Sequence, residues 1–166
     1  MAIREILLLG NERLYETARE ITQEELDKAE QVGADLHDTM IHFRQKYGFG
    51  RAIAAPQIGE ALRMIYLNCD GQSYAVINPR LEFGAERFEV WDDCMSFPGL
   101  EVRLIRFRKT RLTYKDLQWH DCVLECEGDL AELIQHEYDH LDGILAVQRA
   151  IDAKSFRINK AKSGCF

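Results

Sequence analysis

The chain has 166 residues, 46% of them hydrophobic and 30% charged, an ordinary composition for a soluble globular protein long enough to bury one sizeable core. Its 21 basic and 28 acidic residues leave a formal net charge of −7, which excludes a protein whose main task is to coat nucleic acid, since neutralising phosphates needs a basic field. No apolar run approaches the ~18 residues that a spanning helix needs, so a helical membrane anchor is excluded as well.

The first feature is a short apolar run, Ile6-Leu7-Leu8-Leu9. It ends at Asn11-Glu12-Arg13 without a small-residue cleavage site and reads as a structured N-terminus rather than an export signal. Residues 22–47 then predict a helix. Thr22 and Glu25 have capping-box spacing, in which hydroxyl and carboxylate each satisfy an orphan backbone amide. Leu26, Ala29, Val32, Leu36, Met40 and Phe43 recur at intervals of three and four, giving one apolar stripe. Gly48-Phe49-Gly50 ends it. Residues 62–69, 73–78, 88–91, 100–105 and 111–114 are rich in branched and aromatic side chains, with Gly71, Pro79, Gly84 and Gly99 as punctuation, which predicts strands and turns.

The basic stretch Arg103, Arg106, Arg108, Lys109 and Arg111 is expected on the solvated face of a strand. Residues 129–141 predict a second helix with Asp129 as its N-cap, Leu130, Leu133, Ile134 and Tyr138 on or near one face, and Asp142-Gly143 as its stop. No repeat, low-complexity tract or linker interrupts residues 1–166, so one α+β domain is expected. The cysteines Cys69, Cys94, Cys122, Cys126 and Cys165 are an odd set without an export signal, which suggests reduced thiols in a cytoplasm.

The strongest local signal is His136-Glu137-Tyr138-Asp139-His140, an H-E-x-x-H pattern inside the second predicted helix. Residues four apart on a helix share a face, so both imidazoles can reach one metal ion with Glu137 beside them. The bland alternative is a pair of histidines satisfied in the core or on the surface. A catalytic ion of this kind wants three protein ligands and an open position. The residues themselves leave the third ligand open among Cys94, Cys122, Cys126, His120 and several carboxylates. Cys122, Cys126 and His120 suggest a zinc knuckle, but they fall where residues 112–125 read as a strand pair, and no second ligand pair stands at finger spacing.

Three segments carry a family resemblance. Gly50-Arg51-Ala52-Ile53-Ala54-Ala55-Pro56-Gln57, continued by Ile58-Gly59, resembles the loop G-x-G-L-A-A-P-Q of peptide deformylases. Asp92-Asp93-Cys94-Met95-Ser96 resembles their E-G-C-L-S segment, and Gln135-His136-Glu137-Tyr138-Asp139-His140-Leu141 matches their Q-H-E-x-D-H-L helix in full. Weaker similarity runs through residues 11–14 and through Ile77-Asn78-Pro79. The chain is similar to that family along nearly its whole length, with the motifs in family order.

The resemblance implies small mixed or antiparallel sheets packed around a central metal-binding helix, with a long helix nearer the N-terminus. It implies hydrolysis of the N-formyl group of formyl-methionyl or related formylated peptides in the cytoplasm, with the ribosome as a transient partner and no direct nucleic-acid or membrane role. Cys94 then joins His136 and His140 as metal ligand, Glu137 serves as general base and acid, and the Gln57 amide and Met95 backbone N–H stabilise the oxyanion. Gly50, Arg51, Ala52, Ile53 and Glu101 fall at substrate-binding positions. The implied cofactor is one divalent ion, Fe(II) in the cell, with Zn(II), Ni(II) or Co(II) as substitutes.

Some positions depart from the family pattern. Ala52 replaces the second loop glycine, Asp92 and Asp93 replace the Glu-Gly before the cysteine, Met95 replaces a leucine, and Glu101 stands where an arginine is common. Arg51 takes a spot that is usually apolar and lines the methionine pocket. These departures are expected to bear on substrate rather than metal, and on the preference for methionine first. Another metal-dependent amidase or peptidase, or a non-catalytic metal-binding relative, is the alternative reading.

Overall fold

The computed structural model describes residues 2–164. The apolar stripe of the first predicted helix is real: α1 spans Leu26–Tyr47 and buries Ala29, Val32, Leu36, Met40 and Phe43. A 3-10 turn, Gln23–Glu25, leads into it, and the Thr22 N–H donates to the Glu25 carboxylate at 3.0 Å, as capping-box spacing anticipates. Gly48 closes the helix in the left-handed conformation (φ 77°), its N–H donating to the Arg44 carbonyl.

Among the described residues eight strands follow α1, seven before the second helix and one after it: β1 Ala52–Ala54, β2 Met64–Cys69, β3 Gln72–Phe83, β4 Arg87–Asp93, β5 Leu100–Phe107, β6 Lys109–Lys115, β7 Asp121–Glu127 and β8 Phe156–Ile158. They form a five-stranded sheet in the order β1-β2-β3-β6-β7 and a three-stranded sheet in the order β4-β5-β8. Among the described residues every strand pair is antiparallel, and the one parallel bridge joins Arg19 to Leu62 outside the strands.

Pro79, expected to end a strand, lies inside β3. It sits at a register shift between Ile77 and Arg80, where the missing N–H breaks no ladder bond. Asn78 adopts φ 50° there, and its side chain exchanges two hydrogen bonds with the Ile21 backbone, at 2.8 and 2.9 Å. The bulge thus ties β3 to the segment preceding α1.

The second helix, α2, spans Asp129–Leu141. Gly128, not Asp129, occupies the N-cap position; its backbone (φ 61°, ψ −124°) is one that glycine tolerates and aspartate does not, so Asp129 becomes the first helical residue. Ala131, Ile134 and Leu141 of α2 pack on Ile65, Leu67, Val76 and Leu112 of the larger sheet, whereas the α1 stripe packs on Ile53, Met64, Ile77 and Met95. Each fully buried leucine, isoleucine or methionine contributes about 1.5–3 kcal/mol to holding these layers. Beyond α2 the chain crosses its own N-terminal segment closely. Gly143 has φ 70°, and a β-carbon there would stand 2.4 Å from the Tyr15 carbonyl oxygen.

The basic stretch divides. Arg108, Lys109 and Arg111 are surface residues paired with Glu86, Glu127 and Glu125, and Arg103 lies near Glu89 and Asp152. Arg106 contradicts the expected solvated face, being only 4% exposed. Alternation along β5 puts it on the inward face with Val102 and Leu104. Cys69, Cys94, Cys122 and Cys126 are free thiols; Cys165 lies outside the described residues.

Candidate metal centre

Helical spacing on α2 brings His136 and His140 together, with their Nε2 atoms 3.2 Å apart. Cys94 arrives from the turn after β4, its Sγ 3.3 Å from His140 Nε2. The three candidate ligand atoms lie within 4.8 Å of one another, and the residues are 3%, 4% and 1% exposed. A tetrahedral ion with bonds of about 2.0–2.3 Å separates its ligand atoms by roughly 3.3–3.8 Å, so one ion fits with little adjustment. Glu137 is buried beside them, and among the described residues its Oε2 has no hydrogen-bond partner, nor has His140 Nδ1. An orphaned buried carboxylate oxygen next to a soft sulfur and two imidazoles is the chemistry of a divalent-metal site awaiting a polar ligand.

Cys122 and Cys126 form no second centre. Both lie on β7, where residues four apart are roughly 13 Å from each other, and His120 faces Asp116 at 3.3 Å. The cysteine, two-histidine trio is the sole ligand cluster of this kind among the described residues.

The support behind the ligands was not anticipated. Asp92 Oδ2 lies 2.9 Å from His136 Nδ1 and accepts from Arg106 at 2.9 Å. Arg106 also donates to Asp139 at 2.6 Å, and Arg149 binds both oxygens of Asp139 at 2.6 and 2.8 Å. The Asp92 departure from the family motif therefore bears on the metal centre, contrary to expectation. Period-two alternation in β5 was the available signal for Arg106; nothing local marked its partners.

The electrostatics agree. Burial opposes ionisation of Asp92, but His136 and Arg106 outweigh it and hold the carboxyl down at about 2. Burial likewise disfavours a charged His136, yet Asp92 and Cys94 raise its pKa; a field that attracts a proton to that ring attracts a metal cation too. Burial pushes Glu137 up to about 7.

Gln57 is buried at 1% exposure. Its Oε1 accepts from the Ala54 N–H at 2.9 Å, while Nε2 donates to Ser96 Oγ at 3.1 Å and towards Cys94 Sγ at 3.5 Å. Met95, Gly50, Arg51 and Ala52 line a cleft of about 540 Å³ together with Asp92, Asp93, Cys94, Glu132, His136 and Glu137. Ile53 is not on its wall; it is fully buried against α1. Glu101 is also away from the cleft, 5% exposed, with its carboxylate accepting from Arg157 at 2.9 Å and Lys162 at 3.2 Å. It fastens β8 and the C-terminal segment to β5. Lys162 also pairs with Asp93, which orders the cleft rim.

A family model described as polypeptide deformylase matches residues 3–156. A peptide deformylase from Dictyoglomus turgidum is 35% identical over 160 residues, covering 95% of this chain and 99% of the relative. Among solved structures, the peptide deformylase of Legionella pneumophila superposes with a TM-score of 0.82 at 32% identity over 89% of this chain and 86% of that one. The enzyme from Thermotoga maritima gives 0.84 at 27% identity over 92% and 100%. With the motifs, the converging ligands and these likenesses in agreement, the chain belongs to the polypeptide deformylase family, metal-dependent hydrolases that remove N-formyl groups from nascent peptides.

Proposed function

We propose that this chain works as a single hydrolase domain that cleaves the formyl–amine bond of N-formylated peptides, with Cys94, His136 and His140 as its metal ligands. The observation that carries the reading is the convergence of those three side chains beside the partnerless Glu137 carboxylate oxygen, at the wall of an open cleft. A divalent ion held there supplies Lewis acidity, polarising the formyl carbonyl and making water acidic enough to attack at neutral pH. Glu137 takes a proton from the attacking water as its oxygen bonds to the formyl carbon, then delivers that proton to the departing amine nitrogen. The products are formate and a peptide with a free N-terminus.

Negative charge grows on the formyl oxygen during attack. The Met95 N–H has no protein acceptor among the described residues and belongs to the cleft wall, which suits a donor reserved for that oxygen. Gln57 Nε2, which donates to Ser96 Oγ and points its longer contact towards the Cys94 sulfur, is the second donor, turning from that sulfur to the oxyanion. The peptide backbone fits as an added strand along β1, which among the described residues pairs only with β2 and so has a free edge next to Gly50, Arg51 and Ala52.

Fe(II) is our reading for the cellular ion, in keeping with the family resemblance; the donor set suits zinc, nickel or cobalt equally by ligand type. We place the enzyme in the cytoplasm, with the ribosome as a transient partner because formylated chains emerge there. The surface arginines do not make a free basic field for that contact, since acidic neighbours pair with them.

The test is an anaerobic deformylation assay of the iron-loaded protein on formyl-Met-Ala-Ser and on formyl peptides with polar first residues. Turnover of at least one is expected, and Glu137→Gln should lower it by about 10²–10⁴-fold while metal remains bound. Absence of turnover with every formyl peptide, on a fully loaded protein, contradicts the reading.

A further inference from the structure

If the cleft hydrolyses formylated peptides, as proposed above, the first side chain of the substrate must lie a few ångströms from the formyl carbon, against the wall beside His136 and Glu137. Glu132 stands on that wall, one helical turn before His136 and on the same side of α2. Arg51 lines the same cleft. Glu132 is half-buried and Arg51 exposed, and neither side chain has a hydrogen bond or ion pair with the described residues.

Apart from exposed Asp70 and the catalytic Glu137, which also line the cleft without a side-chain partner among the described residues, the other charges of the cleft are committed. Arg44 holds the Gly50 carbonyl and Asn68, Lys162 holds Asp93 and Glu101, and Asp92 serves His136 and Arg106. A partly desolvated carboxylate and a guanidinium thus remain for a ligand. Burial, with the nearby Asp92 charge, pushes Glu132 up to about 7, the response of a carboxyl that lacks a donor.

A methionine thioether has no hydrogen to donate and leaves Glu132 unpaired when water is expelled. A cationic side chain satisfies Glu132 but brings a like charge towards Arg51, and an acidic one does the reverse. A primary carboxamide offers an NH₂ group to the carboxyl and a carbonyl oxygen to the guanidinium.

We propose that Glu132 and Arg51 form a side-chain pocket that selects formylated substrates whose first residue ends in a primary carboxamide, with glutamine, of methionine's length, preferred over methionine.

Binding of the product peptides Gln-Ala-Ser and Met-Ala-Ser, measured by calorimetry on the metal-loaded protein, reads the pocket without requiring turnover; kcat/KM on the two formylated parents reads selection. The glutamine peptide should bind at least about tenfold more tightly, a ratio in keeping with a polar site left unpaired by the wrong side chain. Glu132→Leu should shift the ratio towards methionine, and Arg51→Leu should lower it several-fold even if the first variant does not fold. Equal or tighter binding of the methionine peptide to the wild-type protein overturns the inference, whatever the variants do. Glutamine-selective binding without cleavage of any formyl peptide upholds the pocket and defeats the deformylase reading instead.

Discussion

Asp92 Oδ2 stands 2.9 Å from His136 Nδ1. An Nδ1–H donated to this carboxylate leaves the Nε2 lone pair directed at the site where Cys94 and His140 converge, and Arg106 fixes the carboxylate from behind. Asp92→Asn keeps the size of the side chain but removes the charge that secures this tautomer. Metal affinity, measured by competition with a coloured chelator, should fall by about 10–100-fold. Unchanged affinity would mean that the contact is incidental.

Arg106 joins two buried carboxylates, Asp92 and Asp139, from a position that is itself buried. Arg106→Met takes the buried cation from between both anions, leaving Asp139 only Arg149 and Asp92 only His136, and should cost about 3–5 kcal/mol in urea unfolding. Arg111→Met is the control: its partner Glu125 is exposed, and that pair should be worth less than about 1 kcal/mol. Similar losses in the two variants would show that the inward orientation of Arg106 contributes little.

Gly143 and Gly71 share a left-handed backbone, with φ 70° and 77°, but differ in surroundings. A β-carbon at Gly71 meets nothing within 4 Å, whereas at Gly143 it collides with the Tyr15 carbonyl. Gly71→Ala should cost only the left-handed strain of about 1–2 kcal/mol. Gly143→Ala should cost clearly more and lower metal affinity as well, because the end of α2 carries His140. Equal thermal shifts for the two variants would argue against close packing of the N-terminal segment at this point.

Both helices were readable in advance because their apolar residues keep a 3.6-residue period and sit between recognisable stops; the span of α2 coincides with residues 129–141. The strand segments were legible in position but short at their ends, β3 most of all, since Pro79 reads locally as a break and only the pairing with β6 shows it to be a bulge. The two histidines could be inferred from helical spacing alone. Cys94 needed the family resemblance, because no periodicity links a turn after β4 to a helix 40-odd residues later.

Long-range electrostatics was the least legible layer. Arg106 lies in a basic run whose composition gives no sign of a buried member, and Glu101 aligns with a substrate position although its carboxylate is held by Arg157 and Lys162. Glu132 carried no motif at all; its meaning comes from sharing a wall with Arg51, which lies far from it in the chain. Charges that act through partners distant in sequence leave little trace in local pattern.

X-ray absorption spectroscopy of the zinc-loaded protein addresses the central claim most directly. One sulfur scatterer at about 2.3 Å and two imidazole nitrogens at about 2.0–2.1 Å are predicted, with the sulfur shell absent from Cys94→Ser. A first shell of nitrogen and oxygen alone in the wild-type protein, or a sulfur shell that survives in the variant, would contradict the assignment of Cys94, His136 and His140 as the metal centre.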